Sequence, residues 1–338
     1  MVAHSAGILD IKTNILPNAD ALFLTAIDPY GHELWRWTFP VNKLNQQTEQ
    51  LSPLSSRPAY TETENELTVK ANKRTFIFSK KDGQLKGVSV DNRKINFANG
   101  PRFIGARRAD RSLDQFYNHD DEKAKEKDRT YSEFPDAAVF TKLDVKEDGG
   151  NLVVTANYKL GNLDKAQWTI NPSGELALDY TYNFSGVVDL MGIRFDYPED
   201  QVISKRWLGA GPYRVWQNRI HGTQYDVWEN DYNDPIPGET FTYPEFKGYF
   251  GDVSWMNIQT KEGTISLTNE TPDAYIGVYQ PRDGRDRLLY TLPESGISVL
   301  NVIPPVRNKV NSTDLCGPSS QPKWVNGPQT GRVIFRFM

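Results

Sequence analysis

The side chains best suited to chemistry crowd into one stretch, residues 205–229, which reads KRWLGAGPYRVWQNRIHGTQYDVWE. Tyr213, Arg214, Trp216 and Arg219 set aromatic rings among guanidinium groups, just past the turn Ala210-Gly211-Pro212. A second group follows in Tyr243-Pro244-Glu245-Phe246-Lys247-Gly248, and a third residue, Trp324, sits in the Ser-, Pro-, Gly- and Asn-rich segment 317–329, where exposure is expected. Asp226, Glu229, Asp231 and Asp234 offer the oxygen ligands that Ca²⁺ takes, but without the fixed spacing and glycine of an EF-hand. That run reads as an acidic loop, and no metal is expected. Gly209 and Gly211 read as backbone permissiveness at a turn, with nothing nearby to bind phosphate. The lone Cys316 excludes an internal disulfide framework and a cysteine-based zinc cluster. No cofactor is expected.

These residues must be held by strands. The 338 residues include 16 Tyr, 16 Phe and 8 Trp beside 25 Gly and 21 Pro, the mixture of β-formers and turn-formers expected of an all-β chain. Residues 8–13, 21–28 and 33–39 read as three strands, with Asp28-Pro29-Tyr30-Gly31 turning the last two. Three strands fall short of the roughly seven in a β-sandwich, so this segment is expected to be part of a larger unit. Trp35 and Trp37 read as packing residues at a domain interface. Residues 43–65 are polar and weakly periodic, a linker pattern.

From Glu66 onward, hairpin grammar takes over, with Lys81-Asp82-Gly83-Gln84, Asp91-Asn92, Glu147-Asp148-Gly149-Gly150 and Asn171-Pro172-Ser173-Gly174 as turns. Residues 119–133 carry mixed charge and read as a solvated face. Residues 331–337 read as a closing strand. No helical stretches alternate with the strands, which excludes a βαβ layout. A net charge of -4 argues against nucleic acid as a partner, and no apolar run of about 18 residues exists to span a membrane. The first residues lack the charged start and apolar core of a signal peptide.

Several motifs then fall in order. Trp207, Gly209, Gly211, Pro212 and Arg219 match W-x-G-x-G-P-x-E-x-Y-x-D-R, although Arg214, Trp216 and Asn218 replace its Glu, Tyr and Asp. Pro244, Glu245 and Gly248 approximate P-x-E-x-G, and Val253 and Trp255 fit the strand after it. Glu66–Phe78 with Asp82-Gly83-Gln84-Leu85 looks like an opening hairpin. Phe103 through Arg108-Ala109-Asp110 matches an R-A-P-x-D segment with Asp110 in place of the Pro. Cys316 through Trp324 occupies the place of a glycine-rich loop carrying a Trp. Together these resemble the C-terminal small-chain domain of family 2 β-galactosidases.

The resemblance implies a large antiparallel two-sheet supersandwich, galactose mutarotase-like, over residues 66–338. A linker over 51–65 and a few strands of an Ig-like β-sandwich over 1–50 would precede it. It implies a parent glycoside hydrolase, periplasmic or secreted, whose two carboxylates lie on a TIM barrel. A barrel needs about 250 residues of alternating strand and helix, and this sequence has none, so the isolated chain is expected to be non-catalytic. Its partners would be that barrel, a galactoside-like carbohydrate and, through the parent, further copies. Sugar rings stack a C–H face on indole while amide and guanidinium groups take the hydroxyls. Trp324 is the first expected contact, then Trp216, Arg219, Tyr213 and Glu245. The alternatives are an independent aldose mutarotase-like enzyme, with His221 and Glu245 or Glu229 as the proton-transfer pair, and a purely structural packing domain.

Overall fold

A computed structural model describes residues 6–8, 10, 19–41, 56–108, 131–231, 248–278, 293, 295–305 and 317–338. The chain divides into two units, Met1–Thr48 and Glu49–Met338.

Among the described residues the first unit holds one hairpin, β1 (Ala21–Ile27) and β2 (Glu33–Pro40), in an antiparallel pair. The Asp28 carboxylate closes its turn by accepting the Tyr30 and His32 backbone N–H groups, each at 2.8 Å. Phe23, Leu34, Trp35, Trp37 and Phe39 are all exposed on this hairpin. The strand expected over 8–13 lies mostly outside the described residues.

The second unit carries the remaining strands. First come β3 (Ala59–Glu62), β4 (Glu66–Ala71), β5 (Arg74–Ser79), β6 (Leu85–Val90), β7 (Arg93–Ile95), β8 (Ala98–Arg108) and β9 (Tyr131–Glu133). Next are β10 (Val139–Asp148), β11 (Asn151–Lys159), β12 (Leu163–Ile170), β13 (Leu176–Val188) and β14 (Leu190–Asp196). Then follow β15 (Val202–Gly211), β16 (Gln224–Asn230), β17 (Trp255–Thr260), β18 (Gly263–Asn269), β19 (Tyr275–Val278), β20 (Ile297–Val302) and β21 (Lys323–Phe337). One sheet runs β10-β11-β12-β13-β21-β18-β17-β15-β16. The other runs β19-β20-β14-β8-β6-β5-β4-β3, with β7 on β6 and β9 on β8. All described strand pairs are antiparallel, and the described residues contain no α-helix. The fold is the all-β two-sheet supersandwich expected, accompanied by a small two-stranded sheet.

Alternation builds the core. In β5 Phe76 and Phe78 turn inward, and in β21 Val333, Phe335 and Phe337 do the same, all 0% exposed. The two sheets meet over aromatic rings: Phe97 stacks on Phe195 at 4.6 Å and tilts against Phe335 at 5.0 Å, and Trp168 meets Phe195 edge-on. Such pairs add about 0.5–1.5 kcal/mol each beyond the area they bury. The turns are those read from the sequence. Asp91 and Asn92 adopt positive φ, 49° and 66°, as a two-residue hairpin turn between β6 and β7 requires.

Three segments differ from expectation. The acidic run from Asp226, read as a loop, is strand β16 as far as Asn230, with Asp226 buried. The linker read over 51–65 contains β3, a fully exposed edge strand on β4; with no buried face it shows no apolar alternation, so its polar sequence hides it. The segment 317–329, read as a loop, is loop only in part: after a 3-10 turn at Pro318–Ser320, β21 already begins at Lys323. Pro328 is tolerated within it. Its cross-strand neighbour Asn183 donates its N–H to Asn162 O at 2.7 Å, on the β12 side, so the Asn183–Pro328 pair is a non-hydrogen-bonded one. β18 pairs with β21 only from Val333 on, so among the described residues nothing on the other flank needs the missing N–H either.

Candidate functional site

β15 delivers the aromatic-cationic segment. Trp207, near the strand end, is buried and donates its indole N–H to Ala210 O at 2.9 Å, while its ring meets Phe250 edge-on at 4.9 Å. Gly211 is a glycine because of a close approach: a Cβ there would stand 2.4 Å from the Trp228 ring. The chain leaves β15 through the cis Gly211–Pro212 bond. Val215 and Tyr249 then exchange both backbone hydrogen bonds, 2.7 and 2.8 Å, and Trp216 and Arg219 close a tight turn.

That turn fastens a distant segment. Gln217 donates its backbone N–H to Pro304 O at 3.1 Å and its side-chain amide to Gln321 O at 2.7 Å, while Asn218 Nδ2 reaches Ser320 Oγ at 3.1 Å. The 317–321 turn, and with it the start of β21, is thereby tied to the 213–219 segment, more than 100 residues earlier in the chain. In the sequence Asn218 stands out only as a departure from the motif's Asp, and Gln217 not at all. The motif lettering pointed to their neighbourhood, but an amide that holds a loop looks in sequence like any surface amide.

The expected contact residues separate. Trp324 opposite Val187 on β21 is 71% exposed, and Tyr213 at 58% and Arg219 are exposed as well. Trp216 is corrected: only 2% exposed, it packs edge-on against Tyr249 at 5.6 Å with Ile104, Leu190, Leu300 and Ile303 around it. Its indole has no face open to a sugar ring. The neighbouring Arg214 is buried too, its guanidinium 4.9 Å over the Phe250 ring. Glu245 lies outside the described residues. His221 is exposed in a turn, and Glu229 faces Arg206 at 3.9 Å across the β15–β16 pair. Among the described residues no hydrogen bond or ion pair joins His221 to a carboxylate, and no His, Cys, Asp and Glu cluster could hold a metal ion.

The two antiparallel sheets define a β-supersandwich of the galactose mutarotase-like kind. The chain belongs to the beta galactosidase small chain family, which matches residues 70–304, more than half its length. A search among curated proteins finds no significant sequence match. Among solved structures, the galactose 1-epimerase from Lactobacillus acidophilus NCFM aligns with a TM-score of 0.47 at 11% identity, over 84% of this chain and 99% of its own. The GalM/aldose epimerase homologue from C. elegans aligns at 0.39 and 8% identity, over 83% and 99%. Both are likenesses of architecture, at identities too low to transfer residue roles. One expectation is corrected: that the isolated chain is non-catalytic for want of a barrel does not stand beside solved structures of like architecture that are titled as epimerases.

Proposed function

We propose that this chain is a carbohydrate-binding domain whose leading sugar contact is Trp324. One observation carries the reading: a large indole, 71% exposed, is held on a paired strand, beside a turn that Gln217 and Asn218 tie to the segment bearing exposed Tyr213 and Arg219. An indole anchored on a paired strand offers a C–H-binding face without a large ordering penalty. Membership of the beta galactosidase small chain family supports a galactoside as the ligand class. The test is titration of the full chain with galactose and lactose, followed by tryptophan fluorescence and NMR shifts. Saturable changes that Trp324→Ala removes are expected. Binding that survives Trp324→Ala would shift the contact elsewhere, and unchanged spectra at millimolar sugar would leave a packing domain.

A second reading adds turnover to binding: an independent, mutarotase-like enzyme acting on a free aldose. Ring opening needs a proton moved at the anomeric hydroxyl and at the ring oxygen. The same sample tests it, through the rate of optical-rotation change of fresh α-galactose. Acceleration above buffer, lost in the variant of the responsible residue, supports catalysis.

A further inference from the structure

β13 and β21 pair without a bulge from Leu176↔Phe335 to Val188↔Lys323, so side chains two residues apart share a face of the ribbon. Val333, Phe335, Tyr180 and Tyr182 turn into the core. The opposite, outward face of β21 therefore carries Trp324, Asn326, Pro328, Thr330 and Arg332. Across from them on β13 stand Val187, Ser185, Asn183, Thr181 and Asp179. Ser185 Oγ meets Asn326 Oδ1 at 2.8 Å on this face. Between Trp324 and Arg332, eight residues of strand extend about 26 Å at roughly 3.3 Å per residue.

The far end of this face opens into a groove of about 320 Å³ lined by Lys165 of β12, Asp179 and Thr181, Thr330 and Arg332, and Glu270 just past β18. That volume lies at the lower end of the range usual for small-ligand sites, about 300–1,000 Å³. Arg332 is committed to both acids, Nη1 at 2.5 Å from Asp179 and Nε at 3.0 Å from Glu270, yet all three side chains remain partly exposed. With Lys165 the groove holds two cations and two anions, a balance that favours neither an anion nor a cation. What it presents outward is a mixture of carboxylate lone pairs, two hydroxyls and an ammonium. Alternating acceptors and donors around a neutral rim suit a polyhydroxylated ring, whose hydroxyls each donate and accept.

We propose that this groove is a second saccharide subsite, continuous with Trp324 along the outer face of the β13–β21 ribbon, so that the domain binds an extended oligosaccharide rather than a single ring. This rests on the carbohydrate reading above and adds chain-length selectivity to it. Calorimetric titration of the full chain with galactose and with β-1,4-galacto-oligosaccharides of two to six units tests it. Affinity is expected to rise at least tenfold from the monosaccharide to the hexamer. Lys165→Ala/Glu270→Gln should reduce hexamer affinity tenfold or more while leaving galactose affinity unchanged, whereas Trp324→Ala should weaken both. Glu270→Gln alone, which keeps shape, should give a partial loss if the double variant folds poorly by its thermal midpoint. Galactose binding with no gain in chain length, or hexamer affinity untouched by these variants, would overturn the subsite and leave the Trp324 reading standing. Absence of binding by every sugar in the series would overturn both.

Discussion

Trp324 and Trp216 are the same residue type with opposite fates. One stands 71% exposed on a strand, the other 2% exposed under Tyr249. Their removal should therefore be felt in different measurements. Trp324→Ala takes away an exposed ring and should change unfolding free energy by no more than about 0.5 kcal/mol, as for surface substitutions generally. Trp216→Ala empties a packed site and should cost about 3–5 kcal/mol in urea or guanidinium unfolding. A cost below about 1 kcal/mol would mean that Ile104, Leu300 and Tyr249 collapse into the space. Neither fate is written in the local sequence: Tyr213-Arg214-Val215-Trp216 offers an exposed and a buried aromatic three residues apart, and which is which depends on where Tyr249 and Leu190 arrive from.

At the scale of elements, the hairpin turns are local devices that titrate. In the β5–β6 turn the Asp82 carboxylate accepts the Gln84 N–H at 3.1 Å and pairs with Lys86 at 2.7 Å. Burial raises its pKa, but the bonds to Lys86, Gln84 and Ser79 outweigh that and hold it below the ordinary 3.8. A depressed folded-state pKa stabilises the fold above the unfolded value and stops doing so as pH falls through the folded one. Asp82→Asn should thus cost about 1 kcal/mol at pH 7, a figure reduced for the solvent screening of a part-exposed pair. Urea unfolding curves of the two proteins should converge by about pH 2. A gap that stays the same there would show that the turn relies on shape alone. This turn was legible in Lys81-Asp82-Gly83-Gln84 because every contact that makes it lies within eight residues. β21 was legible only from Gly331 on, where Val333, Phe335 and Phe337 alternate; its first half, with Asn, Gly and Pro, reads as loop and becomes strand because β13 is there to pair with it.

For the whole molecule, the core cluster lies in the second unit, drawn from both of its large sheets. The first unit offers a two-stranded sheet with Phe23, Trp35, Trp37 and Phe39 exposed, and a lone hairpin is marginal in water. We expect residues 49–338 expressed alone to unfold in one cooperative transition with native near-ultraviolet dichroism, and residues 1–48 alone to show no such transition. Loss of tertiary signal in the longer piece would show that the hairpin segment is required for its folding.

The alternation of apolar residues, the turn residues and the ordered motifs determined that this chain is all-β, where most hairpins fall, and which family it belongs to, because each of those signals is carried by neighbours in sequence. Only the tertiary structure decided that the C-terminal strand is inserted between β13 and β18, that Trp216 is core and Trp324 surface, and that Lys165, Asp179, Glu270 and Arg332 share one groove. A period of two fixes which side chains lie on one face of a strand, but it leaves the identity of the neighbouring strand to long-range packing.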